Sequence, residues 1–243
     1  MTAVSANAER RFYLSIMTAI SAGIILGFAK TVFLRPLFPE IHSAAEPYFY
    51  YLHGAILFGW AALMVVQVGL IAARRTATHR RLGLVAFGLA PALVLSSLYA
   101  ALLAFRRPGG FTDVPREGQL PFLAILISLI MMFALYAGLA LARRRNPQSH
   151  KRLMIMAAII LMEAAVSRWP FAFIVNGGLT ATLWVSVAFT LPLVAWDAWT
   201  RHRLHPVTLW GVAGYIAYAL VRPTLIADGP VVRVLGSLVG PPR

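Results

Sequence analysis

The sequence contains no cysteine, which excludes disulfide bonds, thiolate metal ligands and thiol nucleophiles. Charge is also scarce, since charged residues make up 12% of the 243 residues, and soluble domains carry about 25%. Only eight side chains are acidic, too few to suggest a paired-carboxylate hydrolase. No phosphate-binding glycine loop, zinc-protease motif or nucleophile elbow is present. These absences argue against a soluble enzyme of a common type.

Hydrophobic residues make up 60% of the chain and lie in long runs between short charged clusters. A helix needs about 20 apolar residues to cross a bilayer. The sequence therefore predicts an all-α, polytopic transmembrane helix bundle over residues 1–226, with a short irregular tail at 227–243. The predicted spans are 12–34, 49–72, 82–105, 120–142, 153–175, 180–199 and 207–226.

The basic residues predict the orientation of these spans. The net charge of +14 is almost all arginine, because Lys30 and Lys151 are the only lysines. With the N-terminus in the cytoplasm, 13 basic residues fall on the inner side and seven on the outer side, so the positive-inside rule favours a cytoplasmic N-terminus and an outer C-terminus. The arginine-rich composition indicates a bacterial inner membrane and contacts with anionic lipid head groups rather than nucleic acid. Membrane partner proteins are not identified by any motif.

A repeated hairpin links two pairs of predicted spans. Each copy has an Ala-Arg-Arg end, a few polar residues, and a His-basic-Arg-Leu start to the next span, at 73–82 and 142–153. The histidines of the two copies, His79 and His150, are 71 residues apart. A looser third copy at 197–206 contains His205. Repetition of this kind is typical of a duplicated helical hairpin.

The segments His150-Lys151-Arg152-Leu153-Met154 and His79-Arg80-Arg81-Leu82-Gly83 carry a resemblance to a known group. With His53-Gly54 and Arg168, they resemble uncharacterised bacterial membrane proteins grouped as domain of unknown function 2306. The likeness covers the second to seventh spans and implies a helical membrane fold, but no activity. There is also a distant likeness to helical bundles that bind haem b.

Three histidines are predicted at one depth, each at the cytoplasmic start of a helix: His79, His150 and His205. Neutral imidazole is a common ligand of haem iron and of other metals. These residues are candidate ligands of one haem b or one metal ion, with His53 as a further cofactor ligand and Arg168 as an anchor for a propionate. The alternative is that the histidines only mark helix starts beside lipid phosphates and that no cofactor binds.

Glu163, Arg168 and Gln67 are predicted to be polar side chains inside the membrane. A charge at the bilayer centre costs about 2.5–3.5 kcal/mol, so it normally faces the bundle interior and has a partner. Expected partners for Glu163 are polar residues of the second to fourth spans, and His53 is the expected partner of Arg168. Either these groups form a proton relay or anchor, or they fix the register of the helices.

Two functions are consistent with these residues, and whether the protein is an enzyme stays open. The first is a redox-related membrane protein that binds haem or a metal through the histidines. The second is a non-enzymatic permease, sensor or membrane assembly factor with no cofactor.

Overall fold

The computed structural model describes residues 5–38, 47–112, 114–226 and 229–240. These ranges are all-helical, with no β-strand among them. The α-helices are α1 (Ala6–Gly27), α2 (Tyr48–Ala72), α3 (Thr76–Arg106), α4 (Gln119–Ala142), α5 (Pro147–Val166), α6 (Ala172–Ala188), α7 (Leu191–Arg201), α8 (Pro206–Ile226) and α9 (Pro230–Val239). A π-helical turn at Ala29–Phe33 extends α1.

Four helical segments are long and apolar enough to cross a membrane. They are Tyr48–Ala72, Thr76–Arg106, Arg116–Ala142 and Ala172–Arg201, the last combining α6 and α7. This result supports the predicted class, a helical membrane protein.

The first five helices close into a ring. Each packs against the next in the chain from α1 to α4, α4 packs against α5, and α5 returns to α1. Helices α6 and α8 pack on the other side of α5, which is therefore covered from both sides. Thirteen of its 20 residues are buried. Helix α5 is the centre of the molecule.

The contact between α1 and α5 depends on a glycine. A Cβ atom at Gly27 would overlap the main-chain carbonyl of Ala165, which cannot move without shifting α5. The neighbouring indole of Trp169 donates a hydrogen bond to the Gly23 carbonyl at 2.9 Å. Close approach of two helix backbones through small residues is typical of membrane bundles.

Two predicted spans have the wrong bounds, because the helices break before Pro170 and just before Pro192. Helix α5 stops at Val166, so the prediction of 153–175 is wrong at its end. Pro170 lies in the break before α6, and Pro192 opens α7 near its first turn, within the predicted span 180–199. Proline lacks a main-chain N–H, so it is favoured at the first helical turn and not beyond it.

The expectation of an irregular tail is wrong over residues 230–239, which form α9. Pro230 stands at the start of this helix, where proline is favoured. Val232 is buried, and Leu235 packs on the apolar cluster around Phe105 and Leu123. Apolar residues recur every three or four positions, which favours a helix that buries one side.

Candidate functional site

The end of the bundle that carries Arg74, Arg75 and the run 143–145 is called the basic end here. The starts of α1, α3, α5 and α8 meet at this end with the last turns of α2, α4 and α7. The other end of the bundle is called the opposite end. At each of these two ends of the bundle, a buried ion pair joins α5 to the α7–α8 segment.

The pair near the opposite end joins Glu163 in the last turn of α5 to Arg222 of α8. One carboxylate oxygen accepts from Nη1 of Arg222, and the other accepts from the Tyr215 hydroxyl at 2.9 Å. Nη2 of Arg222 also donates to the main-chain oxygen of Leu179 in α6, at 3.2 Å. All three charged or hydroxyl side chains are buried. The carboxylate is therefore held by partners from one helix and excluded from solvent.

The pair at the basic end joins Arg152 of α5 to Asp197 of α7. Nε of Arg152 donates to Oδ2 at 3.2 Å, and Nη2 donates to Oδ1, so the contact is bidentate. Oδ2 also accepts from the Thr208 hydroxyl at 2.5 Å and from the main-chain N–H of His205 at 3.1 Å. Arg152 and Asp197 are 1% and 0% exposed, so the charges are compensated almost entirely by each other.

Both pairs lie on the same side of α5. Arg152 and Glu163 are 11 residues apart, which corresponds to three helical turns and about 16 Å along the axis. Three buried residues of α8 contact the two pairs in the same order along the helix. They are Thr208, Tyr215 and Arg222, which are spaced by seven residues. The α5–α8 interface therefore has the Glu163–Arg222 pair at one end and, at the other, the α5–α7 pair that α8 contacts through Thr208.

The interface between the two pairs is apolar and closely packed. Tyr136 of α4 donates to the main-chain oxygen of Gly211, in the second turn of α8, at 2.6 Å. A Cβ atom at Gly211 would lie 3.6 Å from Cγ of Met156, so the helices touch there. The two polar clusters are separated by side chains rather than joined by a polar path.

A third, partly exposed pair ties α5 to α1. Nζ of Lys151 donates to Glu9 at 2.5 Å and lies 4.6 Å from the centre of the Tyr13 ring. Both residues precede the predicted spans. Burial alone would raise the pKa of Glu9, but the hydrogen bond and charge of Lys151 bring it below the usual range. For Lys151 the effect of burial is larger than the effect of the pair with Glu9, so the pKa of its ammonium group is lowered.

The structure places His150 in the first turn of α5, with Nδ1 2.8 Å from the carbonyl oxygen of Ala140. A carbonyl only accepts, so Nδ1 carries the proton and Nε2 keeps its lone pair. Metal-ligating histidines are commonly oriented in this way. His150 is thus the histidine whose geometry fits a ligand best.

His79 is held differently in the other copy of the hairpin. The Gln67 amide satisfies both of its ends when Nε2 donates to Nδ1 of His79 at 2.6 Å and Oε1 accepts from the Gly83 N–H at 2.9 Å. Nδ1 also lies 3.3 Å from the main-chain carbonyl oxygen of Gln67. In the shorter contact the Gln67 amide is the donor, so Nδ1 is the acceptor. In this arrangement the imidazole proton is on Nε2, which leaves no free lone pair. Gln67 is buried as predicted, with His79 as its partner.

His205 and His53 lie in other surroundings. Nδ1 of His205 accepts from the Val207 N–H at 3.1 Å, which caps the start of α8 beside Asp197. Burial lowers the pKa of His205, and the charges of Arg152 and Arg201 add to this effect. Nδ1 of His53 lies 3.2 Å from the Ser96 hydroxyl of α3. No three His, Asp or Glu side chains of the described residues are grouped to hold a metal ion.

Arg168 is not an intramembrane partner of Glu163. It follows the end of α5, is exposed, stacks 4.9 Å from the centre of the Phe28 ring and donates to the Ala164 carbonyl. The prediction placed it inside a span because the apolar run continues past Val166, where the helix in fact stops. Its expected contact with His53 is replaced by these two contacts.

The expected partners of Glu163 on the second to fourth spans are also wrong. Ser96 contacts His53, and Tyr136 contacts Gly211, because α5 turns Glu163 toward α8 instead. Sequence analysis missed Arg222, which was counted as an outer-side charge, and did not single out Tyr215. Their spacing of seven from Thr208 is a signal that would have placed them on one side of α8.

Comparison with protein-family models, with curated proteins and with solved structures finds no match to this chain. The resemblance noted from the histidine motifs therefore stays a prediction.

Proposed function

We propose that this protein is a seven-span permease of the bacterial inner membrane. In this proposal the two ion pairs on α5 are the gates at the two ends of one transport interface. The single observation that carries the proposal is the pairing of Arg152 with Asp197 and of Glu163 with Arg222, at opposite ends of the same interface.

Buried ion pairs are poor stabilisers, because desolvation of the charges offsets most of their attraction. Well-packed apolar side chains would hold α5 against α8 at least as firmly. Ionisable groups inside membrane bundles commonly mark paths for ions or polar substrates. Alternating access requires two barriers that open one at a time, on either side of a central site. One pair between α5 and α8 and one between α5 and α7, at opposite ends of α5, meet this requirement.

The positions of the helix ends support seven crossings. The starts of α1, α5 and α8 and the end of α7 meet at the basic end through Glu9, Lys151, Arg152, Asp197 and Thr208. This is the pattern expected if α1 to α5, the α6–α7 segment and α8 each cross once. The positive-inside rule then favours the basic end, and the N-terminus, in the cytoplasm.

Cysteine labelling tests the gates, since the natural chain lacks cysteine and each added thiol is unique. Ala219→Cys reports on the interface between Tyr215 and Arg222, and Met156→Cys reports on the half nearer Arg152; both native residues are buried. A membrane-impermeant maleimide is applied to oriented vesicles from one side at a time. Glu163→Gln should speed labelling of Ala219→Cys from outside only, and Asp197→Asn should speed labelling of Met156→Cys from the cytoplasm only. A gate weakened by about 1.4 kcal/mol gives a rate change of about tenfold.

Arg168→Leu is the matched control, because it removes a nearby charge that belongs to neither pair. It should leave both labelling rates unchanged. If the pairs only fix helix register, their neutralisation will reduce the yield of folded protein and leave the sidedness of labelling as it was. That result would refute the proposal.

Electron transfer through haem b or a single metal ion is a second candidate, favoured by the proton position of His150. The protein would hold the group through Nε2 of His150, and the group would supply the redox chemistry. The test is an absorption spectrum of the purified protein, oxidised and then reduced with dithionite, with metal analysis of the same sample. A stoichiometric haem band that is lost in His150→Gln and retained in His205→Gln supports this candidate. A band that survives in both variants contradicts the assignment.

A further inference from the structure

An apolar groove runs along the outside of the ring between α3 and α4. Its volume is about 340 Å³, and its walls are formed by α3 around Pro91 and by α4 from Phe133 to Leu141. On α4 this stretch covers about 12 Å of helix. Phe133 and Ala137 form a buried floor, and Leu95 at the rim is 68% exposed.

The groove exists because small residues stand where larger ones would close it. Ala134, Ala137 and Gly138 follow one another on α4, and Pro91 lies within α3 opposite them. A Cβ atom at Gly138 would meet nothing within 4 Å, so the space beside this residue is open. Only an apolar occupant fits such a lining, which offers no polar side chain for a hydrogen bond.

Exposed arginine side chains lie beyond the groove, toward the basic end of the bundle. Arg143 and Arg145 follow Leu141 by two and four residues, and α3 carries Arg80 and Arg81 in its first turns, at the same end of the bundle. All four arginines are exposed, and none of their side chains makes a hydrogen bond or ion pair within the part of the chain that the structure describes.

The acidic residues near this end do not neutralise these arginines. Glu9 is paired with Lys151, and Asp197 is paired with Arg152, so both carboxylates are already engaged by α5. A ligand that complements the surface must therefore bring its own negative charge together with an apolar chain.

We propose that the α3–α4 groove is a binding site for one anionic phospholipid, with an acyl chain along Ala134 and Gly138 and its phosphate group at Arg80, Arg81, Arg143 and Arg145. Basic pockets between membrane helices bind anionic head groups in this manner. The site is separate from the α5–α8 interface and does not depend on the proposed transport function. It would fix the seam between the two repeated hairpins, because α3 belongs to one copy and α4 to the other.

Lipid binding to the detergent-purified full chain tests the site. The probes are phosphatidylglycerol and phosphatidylcholine with identical acyl chains, and native mass spectrometry counts the lipids bound at each concentration. The wild type should bind one phosphatidylglycerol at least tenfold more tightly than phosphatidylcholine, since only the phosphatidylglycerol head group carries a net negative charge for the four arginines. Equal affinity for the two lipids would overturn the proposal.

Two kinds of variant distinguish the contribution of the acyl chain to binding from that of the lipid head group. Gly138→Leu fills the groove and should weaken binding of both lipids by about fivefold or more, because the lost burial involves several methylene groups. Ala134→Leu narrows the groove one turn away and should do the same. Replacing all four arginines with glutamine should reduce phosphatidylglycerol to the affinity of phosphatidylcholine, with the latter unchanged.

Gly59→Leu is the control for the groove variants. Gly59 is an exposed glycine of α2 that lies outside the groove, and a Cβ atom added there would meet nothing within 4 Å. This variant should bind both lipids like the wild type. Wild-type affinity in Gly138→Leu, or a retained preference for phosphatidylglycerol in the glutamine variant, would contradict the assignment even if the wild type prefers the anionic lipid.

Discussion

Three consecutive residues at the start of α5 each bind a different helix. His150 donates to the end of α4, Lys151 pairs with Glu9 of α1, and Arg152 pairs with Asp197 of α7. The same motif in the other hairpin is used differently, because Arg80 and Arg81 are exposed. Similar sequence at two helix starts therefore does not imply similar roles, since the neighbours of the two helices differ.

Loss of Arg222 should destabilise the protein more than neutralisation of Glu163. In Arg222→Leu the Glu163 carboxylate stays buried without its cation, and breaking a buried pair in this way costs about 3–5 kcal/mol. In Glu163→Gln the carboxamide oxygen still accepts a hydrogen bond, and Arg222 keeps the Leu179 carbonyl, so we expect a loss of about 1–2 kcal/mol. The measurement is the free energy of unfolding in detergent.

The control is Arg168→Leu, which removes an exposed arginine five residues from Glu163. Its contact with the Phe28 ring is worth about 0.5–1 kcal/mol, so the loss should be smaller than for either pair variant. Adding Glu163→Leu to Arg222→Leu should cost less than the sum of the single changes, because the first change already broke the pair. Additive losses would show that Glu163 and Arg222 do not act on each other.

The sequence predicted that Glu163 is buried and needs a partner, but it predicted the wrong one. Burial followed from the cost of a charge within an apolar run, which is a local property. The partner is 59 residues away on α8, and nothing local indicates which helices are neighbours. The three histidines were likewise predicted at one end of the bundle, whereas their proton positions depend on single contacts such as that between Gln67 and His79.

At the scale of helices, apolar runs bounded by arginine were reliable guides. The predicted spans 49–72 and 120–142 agree closely with α2 and α4, whose ends are marked by clusters of arginine and by short turns. The failures lie where the apolar run continues but the helix does not, as after Val166. There the main chain turns at 167–171 without a charged cluster to mark it. The composition of a run predicts burial in lipid, not continuity of hydrogen bonding.

The packing of α1 on α5 should be sensitive to one methyl group. Gly27→Ala places a Cβ atom against the Ala165 carbonyl, and overpacking of this kind typically costs about 1–3 kcal/mol. Gly59→Ala, at an open position of α2, should be neutral or stabilising because alanine favours the helix. Thermal unfolding of the two variants in the same detergent measures the difference. Equal midpoints would mean that α1 and α5 are not in close contact at Gly27.

For the whole molecule, the ring of α1 to α5 explains why α5 can carry charge at both ends. Lipid is kept from most of its surface by α1 and α4 on one side and by α6 and α8 on the other. The fold class followed from composition. The central position of α5 did not, because neither its length nor its hydropathy indicates that it is more buried than its neighbours. A helix that fails the apolar criterion for a membrane span is here the most enclosed one.

The distance along the chain between the members of each ion pair also has a consequence for synthesis. Asp197 follows Arg152 by 45 residues and Arg222 follows Glu163 by 59. At about 5–20 residues per second, a ribosome completes the later partner roughly 3–12 s after Glu163 has been made. During that interval α5 carries charges that nothing in the finished part of the chain neutralises. We therefore expect nascent α5 to stay at the insertion machinery or at the membrane surface until α8 emerges, so that the last long helix decides whether a new chain is assembled or degraded.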